Sequence, residues 1–77
     1  MDSRDVLAEM VANSGLSYRQ VSLEMDREAT YLKTIIYRGR RPRIDTFAKV
    51  ADVCGYDLLV RRRSDGHEMS IDANDDD

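Results

Sequence analysis

The chain has 77 residues, of which 42% are apolar and 35% charged, and its formal net charge at pH 7 is −3. That length predicts one small domain, near the lower limit for folding without disulfides or metal ions. A single cysteine and a single histidine exclude an internal disulfide and a zinc site made by the chain alone, and no apolar run approaches the ~20 residues of a membrane span.

The N-terminal segment is polar and acidic, unlike a signal peptide, so we expect a cytoplasmic protein with no membrane partner. Apolar residues recur one turn apart from Arg4 to Ser14, which predicts the first helix. Ser3 is the expected N-cap and Gly15 the expected terminator, and Leu16 is expected to enter the core.

Two short amphipathic segments follow, joined by a tight polar turn. Ser17 suits the N-cap of a helix over Tyr18 to Met25, and Asp26 tolerates the left-handed backbone of a sharp turn. The next segment places on one face Leu32, Ile35 and Ile36. Its other face carries Ala29, Thr30, Lys33, Thr34 and Tyr37. A helix with this aliphatic back and this front, directly after another helix, is typical of a helix-turn-helix that reads the major groove.

Basic side chains concentrate just after this segment. Gly39 is expected to break the helix, and within six residues stand Arg38, Arg40, Arg41 and Arg43. Residues 35–49 carry five basic side chains and one acidic, whereas residues 64–77 carry six acidic and none basic. The negative net charge therefore comes from the C-terminal end, and the local field where the second segment ends is positive.

The remaining chain predicts one more helix and a hairpin. The helix is expected from Ile44 to Cys54, with Phe47 at the centre of the core and Gly55 as terminator. Strands over residues 57–63 and 67–71 flank an Asp-Gly turn that is typical of hairpins. A lone hairpin is marginal in water, so it must pack on the helices or pair with a second subunit. Arg61–Arg63 could add contacts to the DNA backbone, but we expect them to protect a strand edge or pair with the acidic tail.

An ordered set of positions matches a known family: Leu16, Ser17, Val21, Met25, Asp26, Leu32, Ile35, Gly39, Pro42, Phe47, Val50, Ala51 and Gly55. Over about Val6 to Gly55 the chain resembles the phage repressor and Cro-like helix-turn-helix proteins, also called the XRE family. The family's usual Leu-Ala pair is Val21-Ser22 here, its frequent turn glycine is Asp26, and Ile36 replaces an acidic residue often found near the end of the recognition helix.

The expected fold is all-α, a four-helix repressor-like helix-turn-helix domain with a C-terminal β-hairpin. Residues 1–56 are expected to form the DNA-binding domain. Residues 57–72 are expected to form the hairpin, which is dimerising or accessory, and residues 73–77 a disordered acidic tail.

The resemblance assigns base reading to Ala29, Thr30 and Thr34, with three neighbours, Glu28, Tyr31 and Lys33. Thr hydrogen-bonds several bases, and the methyl of Ala or Thr packs against thymine. None of the three central positions holds Gln, Asn or Arg, so moderate direct specificity is expected, with DNA shape or water contacts adding to it. The alternative is that Thr30 and Thr34 are ordinary solvent-facing helix residues.

Phosphate contacts are expected on both sides of the recognition helix. At the start of the preceding helix they involve Ser17, Tyr18 and Arg19. After the recognition helix they involve Tyr37, Arg38, Arg40, Arg41 and Arg43. The alternative for the arginines is a solvated charged loop or one that binds RNA or anionic lipid.

The expected function is transcriptional regulation, most simply repression, by a homodimer that binds an inverted repeat in double-stranded DNA. No cofactor, metal ion or enzymatic activity is expected, since the residues show no catalytic set. The rival is a protein-binding module on the same scaffold, such as an antitoxin or a phage-encoded inhibitor. In that case the hairpin and the acidic tail grip a partner protein, and the module also autoregulates.

Overall fold

The computed structural model describes residues 1–73, which form four helices and a two-stranded antiparallel hairpin. The elements are α1 Ser3–Ser14, α2 Tyr18–Glu24, α3 Tyr31–Tyr37, α4 Ile44–Val53, β1 Leu58–Arg61 and β2 Glu68–Ile71. The predicted order of elements is confirmed, but all-α is too narrow a label because β1 and β2 form a sheet. None of the helices in residues 1–73 is long and apolar enough to cross a membrane. The predicted disorder of residues 73–77 lies, apart from Ala73, outside the described residues.

The N-cap of α1 is Asp2, so the prediction of Ser3 was wrong. The Asp2 carboxylate accepts the backbone N–H groups of Arg4 at 2.9 Å and of Asp5 at 3.1 Å. The Asp5 carboxylate accepts the N–H of Asp2 in return, at 3.2 Å. This reciprocal arrangement satisfies three otherwise free donors, which a serine one residue later would not. The N–H of Asp5 is the main reason that the pKa of the Asp2 carboxyl lies below its ordinary value.

The start of α2 follows the prediction. The Ser17 hydroxyl accepts the N–H of Gln20 at 3.1 Å, and the Gln20 side-chain oxygen accepts the N–H of Ser17 at 2.8 Å. Met25 is the C-cap and lies just beyond the last helical residue. Asp26 then takes φ 59, and no other non-glycine residue among the described ones has a positive φ. The predicted left-handed turn at Asp26 is confirmed.

Substitutions at Asp26 test whether the left-handed backbone of this turn restricts the type of residue at this position. Asp26→Val is expected to lower the free energy of unfolding by about 1–2 kcal/mol, because a β-branched side chain clashes with the left-handed backbone. Asp26→Gly is the control, and its effect is expected to stay within about 0.5 kcal/mol, since the freedom of glycine also favours the unfolded chain. Urea unfolding followed by circular dichroism measures both. An equal loss in the two variants would locate the effect in the aspartate side chain and not in the backbone.

The core lies where the inner faces of the helices meet, and its buried members are Leu7, Met10, Val11, Val21, Met25, Leu32, Val50 and Ala51. Phe47 was predicted at the centre and is only half-buried, so that prediction was wrong. The reason is its place in the first turn of α4, where it lies beside Pro42 and Leu58. Its ring covers the junction between helices and hairpin, and smaller aliphatic side chains fill the centre.

The hairpin is covered on only part of its apolar face. Its register pairs Leu58 with Ile71 and Val60 with Met69, so these side chains share one face,. β1 packs against α4, and Leu58 contacts the core. Val60 and Met69 remain 49% and 58% exposed. In the connecting turn the Arg62 guanidinium donates to Asp65 at 2.9 and 2.8 Å, so the partner of this arginine lies in the hairpin itself.

Candidate nucleic-acid interface

α3 presents two chemically different faces. On its inner face Leu32 is fully buried, and Ile35 and Ile36 pack against the core. On its outer face Lys33 and Tyr37 are exposed, Tyr37 by 77% of its surface, and Thr34 is half-exposed. The aliphatic back and the open polar front predicted from the sequence are therefore both present.

α3 begins later than the predicted segment. Ala29 and Thr30 lie in the turn before it, and Thr30 is the N-cap, with φ −94 and ψ 3. The N–H of Tyr31 donates to the carbonyl of Glu28 at 3.0 Å, which closes this turn. Thr30 is exposed and Ala29 half-buried. The predicted base-reading positions therefore span a turn and the first turns of a helix, instead of one continuous helical face.

A groove runs between the start of α2 and the start of α3. It is lined by Ser17, Tyr18, Arg19, Ala29, Thr30 and Lys33. The first three were predicted to bind phosphate and the last three to lie at the bases, and about ten residues of chain separate the two groups. Folding brings both predicted groups to one surface.

A second groove lies on the other side of Thr30, lined by Glu28, Thr30, Tyr31, Thr34, Ile35, Arg38 and Arg40. Because Thr30 lines both grooves, it stands on the ridge between them. Two guanidinium groups and one carboxylate give the second groove a net positive charge. Thr34 contributes a hydroxyl and a methyl group to its wall.

The two tyrosines of α3 face different surroundings. The Tyr31 hydroxyl lies 3.3 Å from the hydroxyl of Thr46, and the Arg27 guanidinium stands 5.1 Å from the centre of its ring. Tyr31 is therefore tied to α4 and half-buried. Tyr37 is open, with the Lys33 ammonium 5.6 Å from its ring centre. Cation–π pairs at exposed sites contribute about 0.5–1 kcal/mol, so Lys33 and Tyr37 form a weakly coupled pair on the outer face.

The basic loop, residues 38–43, begins with a Schellman turn. The N–H of Gly39 donates to the carbonyl of Ile36 at 3.1 Å, and the N–H of Arg40 donates to Ile35 at 3.2 Å. Gly39 has φ 67, which a glycine adopts without strain,. The exposed residues of the loop include all four arginines, Arg38, Arg40, Arg41 and Arg43. The predicted helix break at Gly39 is confirmed.

Within the loop, Arg43 already has a carboxylate neighbour. Its guanidinium lies 3.4 Å from the Asp45 carboxylate, and the Arg43 side chain is 84% exposed. An exposed ion pair of this kind contributes only about 0–1 kcal/mol. Arg43 therefore exchanges partners at little cost.

Arg4 of α1 joins the basic loop, and the sequence did not indicate it. A Cβ atom built on Gly39 would lie 3.3 Å from a terminal nitrogen of Arg4, so the guanidinium rests beside the Schellman turn. Asp2 lies 3.4 Å from the same side chain and balances part of its charge. No sequence signal marks Arg4, because its nearness to Gly39 depends on how α1 packs across the fold.

No family model, curated protein or solved structure matches the chain. Within residues 1–73 no group of His, Cys, Asp and Glu side chains is arranged to hold a metal ion. Burial raises the pKa of the half-buried Cys54 thiol, and a hydrogen bond with Ser14 opposes part of that rise. The thiol is therefore protonated near neutral pH and packs as a small apolar group.

Proposed function

We propose that the protein binds double-stranded DNA with sequence preference, with α3 as the recognition helix of a helix-turn-helix formed by α2, the Asp26 turn and α3. The observation that supports this best is the groove between α2 and α3, where Ser17 and Arg19 lie beside Thr30 and Lys33. Phosphate contacts fix the register of a protein on the duplex, while side chains of the inserted element read base edges. Both tasks need residues on one surface.

The two ends of α3 carry the proposed phosphate contacts. The groove with Arg19 lies at its start, and the basic loop follows its end. Seven residues of helix span about 10 Å, close to the ~12 Å width of the major groove. A helix that enters the groove therefore has cations near phosphates at both of its ends. Asp45 is the only acidic residue among residues 35–49.

The proposed contacts to bases are short and few. Thr30 and Thr34 offer hydroxyl and methyl groups, Ala29 a methyl group and Lys33 an ammonium. This set discriminates thymine methyl groups and single acceptors better than it forms paired hydrogen bonds to guanine or adenine. Moderate direct specificity follows, with DNA shape and water contacts supplying the remainder.

The proposal includes a cytoplasmic homodimer that acts as a repressor by occupying an inverted repeat. A single chain leaves exposed apolar side chains on α4 and the hairpin, among them Ile44 at 64%, Val60 and Met69. Exposed apolar patches of this kind favour a protein contact. A two-fold dimer would place two copies of α3 in successive major grooves, about 34 Å apart.

Selection of bound sequences from a random duplex pool at physiological salt tests the function. The expected result is an enriched inverted repeat whose half-site centres lie about 10 base pairs apart. Binding measurements with the enriched duplex and a scrambled duplex then give the specificity ratio. Recovery of no sequence above the starting pool would refute sequence-dependent binding.

Variants of the two threonines test base reading, and a serine variant in the hairpin turn is their control. Thr30→Val and Thr34→Val keep the methyl group and remove the hydroxyl. Each is expected to shift the selected base at one position per half-site, by about 1–3 kcal/mol of discrimination, and to leave the salt dependence unchanged. Ser64→Ala removes a hydroxyl from the turn between β1 and β2, and it is expected to leave the selected sequence as it is.

The exposed apolar side chains of the hairpin also suit the rival function, a module that grips a partner protein. A truncation that tests the acidic tail must leave β2 intact, because β2 pairs with β1. Removal of residues 73–77 keeps both strands and deletes three aspartates, which raises the formal net charge from −3 to 0. For DNA binding, unchanged or higher affinity is expected, since less negative charge opposes phosphate. A fall in DNA affinity, measured by fluorescence anisotropy, would contradict this.

A further inference from the structure

α3 lacks a cap of its own. The first turn of a helix leaves backbone N–H groups without partners inside the helix, and the usual remedy is a side chain at the N-cap. The N-cap here is Thr30, whose side chain makes no such hydrogen bond. The problem is acute at Leu32, because this residue is fully buried and water does not reach its N–H group.

Ser22 of α2 supplies the missing acceptor. The N–H of Leu32 donates to the Ser22 hydroxyl oxygen at 3.2 Å, across ten residues of sequence. The same hydroxyl donates to the carbonyl of Tyr18 at 2.7 Å. That second bond fixes the direction of the hydroxyl proton and leaves a lone pair for α3. Ser22 itself is 0% exposed, and its bond with the N–H of Leu32 is shielded from solvent.

We propose that Ser22 is a positioning residue for base reading. It caps α3 from α2 and thereby fixes how the outer face of α3 is turned relative to the groove between the two helices. The bond ends at residue 32, midway between Thr30 and Thr34, so a rotation or slide of α3 at this point moves both threonines. This role rests on the proposed DNA-binding function, whereas the cap itself does not.

The chain offers a matched control in Ser14. Its hydroxyl donates to the carbonyl of Val11 at 2.6 Å and accepts the N–H of Leu16 at 3.0 Å. Ser14 thus has the same two kinds of backbone bond as Ser22, but both lie within residues 11–16 at the end of α1, and its further hydrogen bond is with the Cys54 thiol at the end of α4. Ser14→Ala and Ser22→Ala each remove one hydroxyl that bridges two backbone groups. Only the second removes a bond between α2 and α3.

The first measurement uses the protein without DNA. Amide hydrogen exchange followed by NMR is expected to show protection of the Leu32 amide falling about tenfold further in Ser22→Ala than the loss of global stability explains. In Ser14→Ala the Leu32 amide should follow global stability. Unchanged protection of the Leu32 amide in Ser22→Ala would refute the claim that the Ser22 hydroxyl caps α3.

The second measurement compares affinity for the selected duplex with affinity for a scrambled duplex. Ser22→Ala is expected to lower this ratio about tenfold with an unchanged salt slope, while Ser14→Ala keeps the ratio. Ser22→Cys fills nearly the same space with a weak acceptor and should behave as Ser22→Ala does. Full discrimination in the cysteine variant would show that Ser22 only fills space and would overturn the proposal.

The two measurements separate the possible failures. Loss of Leu32 protection with an unchanged specificity ratio would refute the positioning role and leave the cap. Absence of any sequence preference in the wild-type protein would refute the proposed function and with it the positioning role. In that case the hydrogen-exchange measurement at Leu32 tests only whether Ser22 caps α3.

Discussion

Replacing Arg40 and Arg41 together by alanine is expected to weaken binding to selected and scrambled duplexes alike, on the order of 10–100-fold at physiological salt. Both guanidinium groups are exposed in the basic loop that follows α3. Each phosphate contact releases about one counterion, so the slope of log affinity against log salt should become shallower by about 2. Fluorescence anisotropy titrations at four or five salt concentrations measure the affinity and the slope together.

A matched pair of arginines tests whether position or net charge matters. Arg61→Ala with Arg63→Ala removes the same charge from the hairpin, where both residues are exposed. Arg62 is left in place because it is bonded to Asp65. This control is expected to change the salt slope by less than about 0.5. Equal losses in the two double variants would mean that net charge alone sets affinity, and the basic loop would then have no special role.

The parts of this fold that the sequence predicted are those fixed by neighbouring residues. The Ser17 cap, the left-handed turn at Asp26 and the helix breaks at Gly39 and Gly55 each depend on the backbone within a few residues. Side-chain capping and positive φ are local properties of residue type. The same local property led to the wrong prediction of Ser3 instead of Asp2 as the N-cap of α1. The sequence fits both a single serine cap and a reciprocal pair of carboxylates three residues apart, and only their geometry distinguishes the two.

The parts that could not be predicted depend on packing between distant segments. Phe47 is the only phenylalanine, and size alone suggested the centre of the core. The direction in which α4 enters the fold instead places its ring beside the hairpin. Arg4 reaches the Gly39 turn, and Ser22 reaches the N–H of Leu32. Each of these contacts joins residues at least ten positions apart, for which a single sequence carries no pattern.

The candidate site shows the same difference between local properties, which the sequence predicts, and contacts between distant segments, which it does not. The exposure of Thr30, Arg40 and Arg41 follows from the periodicity around Leu32 and from the glycine that ends α3. The groove that brings Ser17 to Thr30 depends on the angle between α2 and α3, which the sequence does not encode locally. A hydrogen bond of Tyr31 with Thr46 likewise needs the position of α4. The chemical types and the exposure of the site residues were thus predictable from the sequence. Which of these residues share one surface depends on the fold.

Leu32→Ala is expected to have the largest effect on stability of any single change proposed for this protein. Leu32 is 0% exposed and lies in the core where α3 meets the other helices. Truncation of a buried leucine to alanine removes apolar burial and leaves a cavity, at a cost of about 2–5 kcal/mol. A domain of this length has about 4–12 kcal/mol of total stability, so a large fraction is lost. Urea unfolding at 25 °C measures the loss.

Leu23→Ala is the control for this substitution. Leu23 is on α2 and 50% exposed, so the same change is expected to cost less than about 1 kcal/mol. Selected DNA provides a second check, because a ligand that binds only the folded state stabilises it by about 2.7 kcal/mol at 100 times its Kd. Leu32→Ala should therefore regain much of its lost stability with the selected duplex and less with the scrambled one. A loss no larger than that of Leu23→Ala would mean that the inner face of α3 does not hold this helix in place.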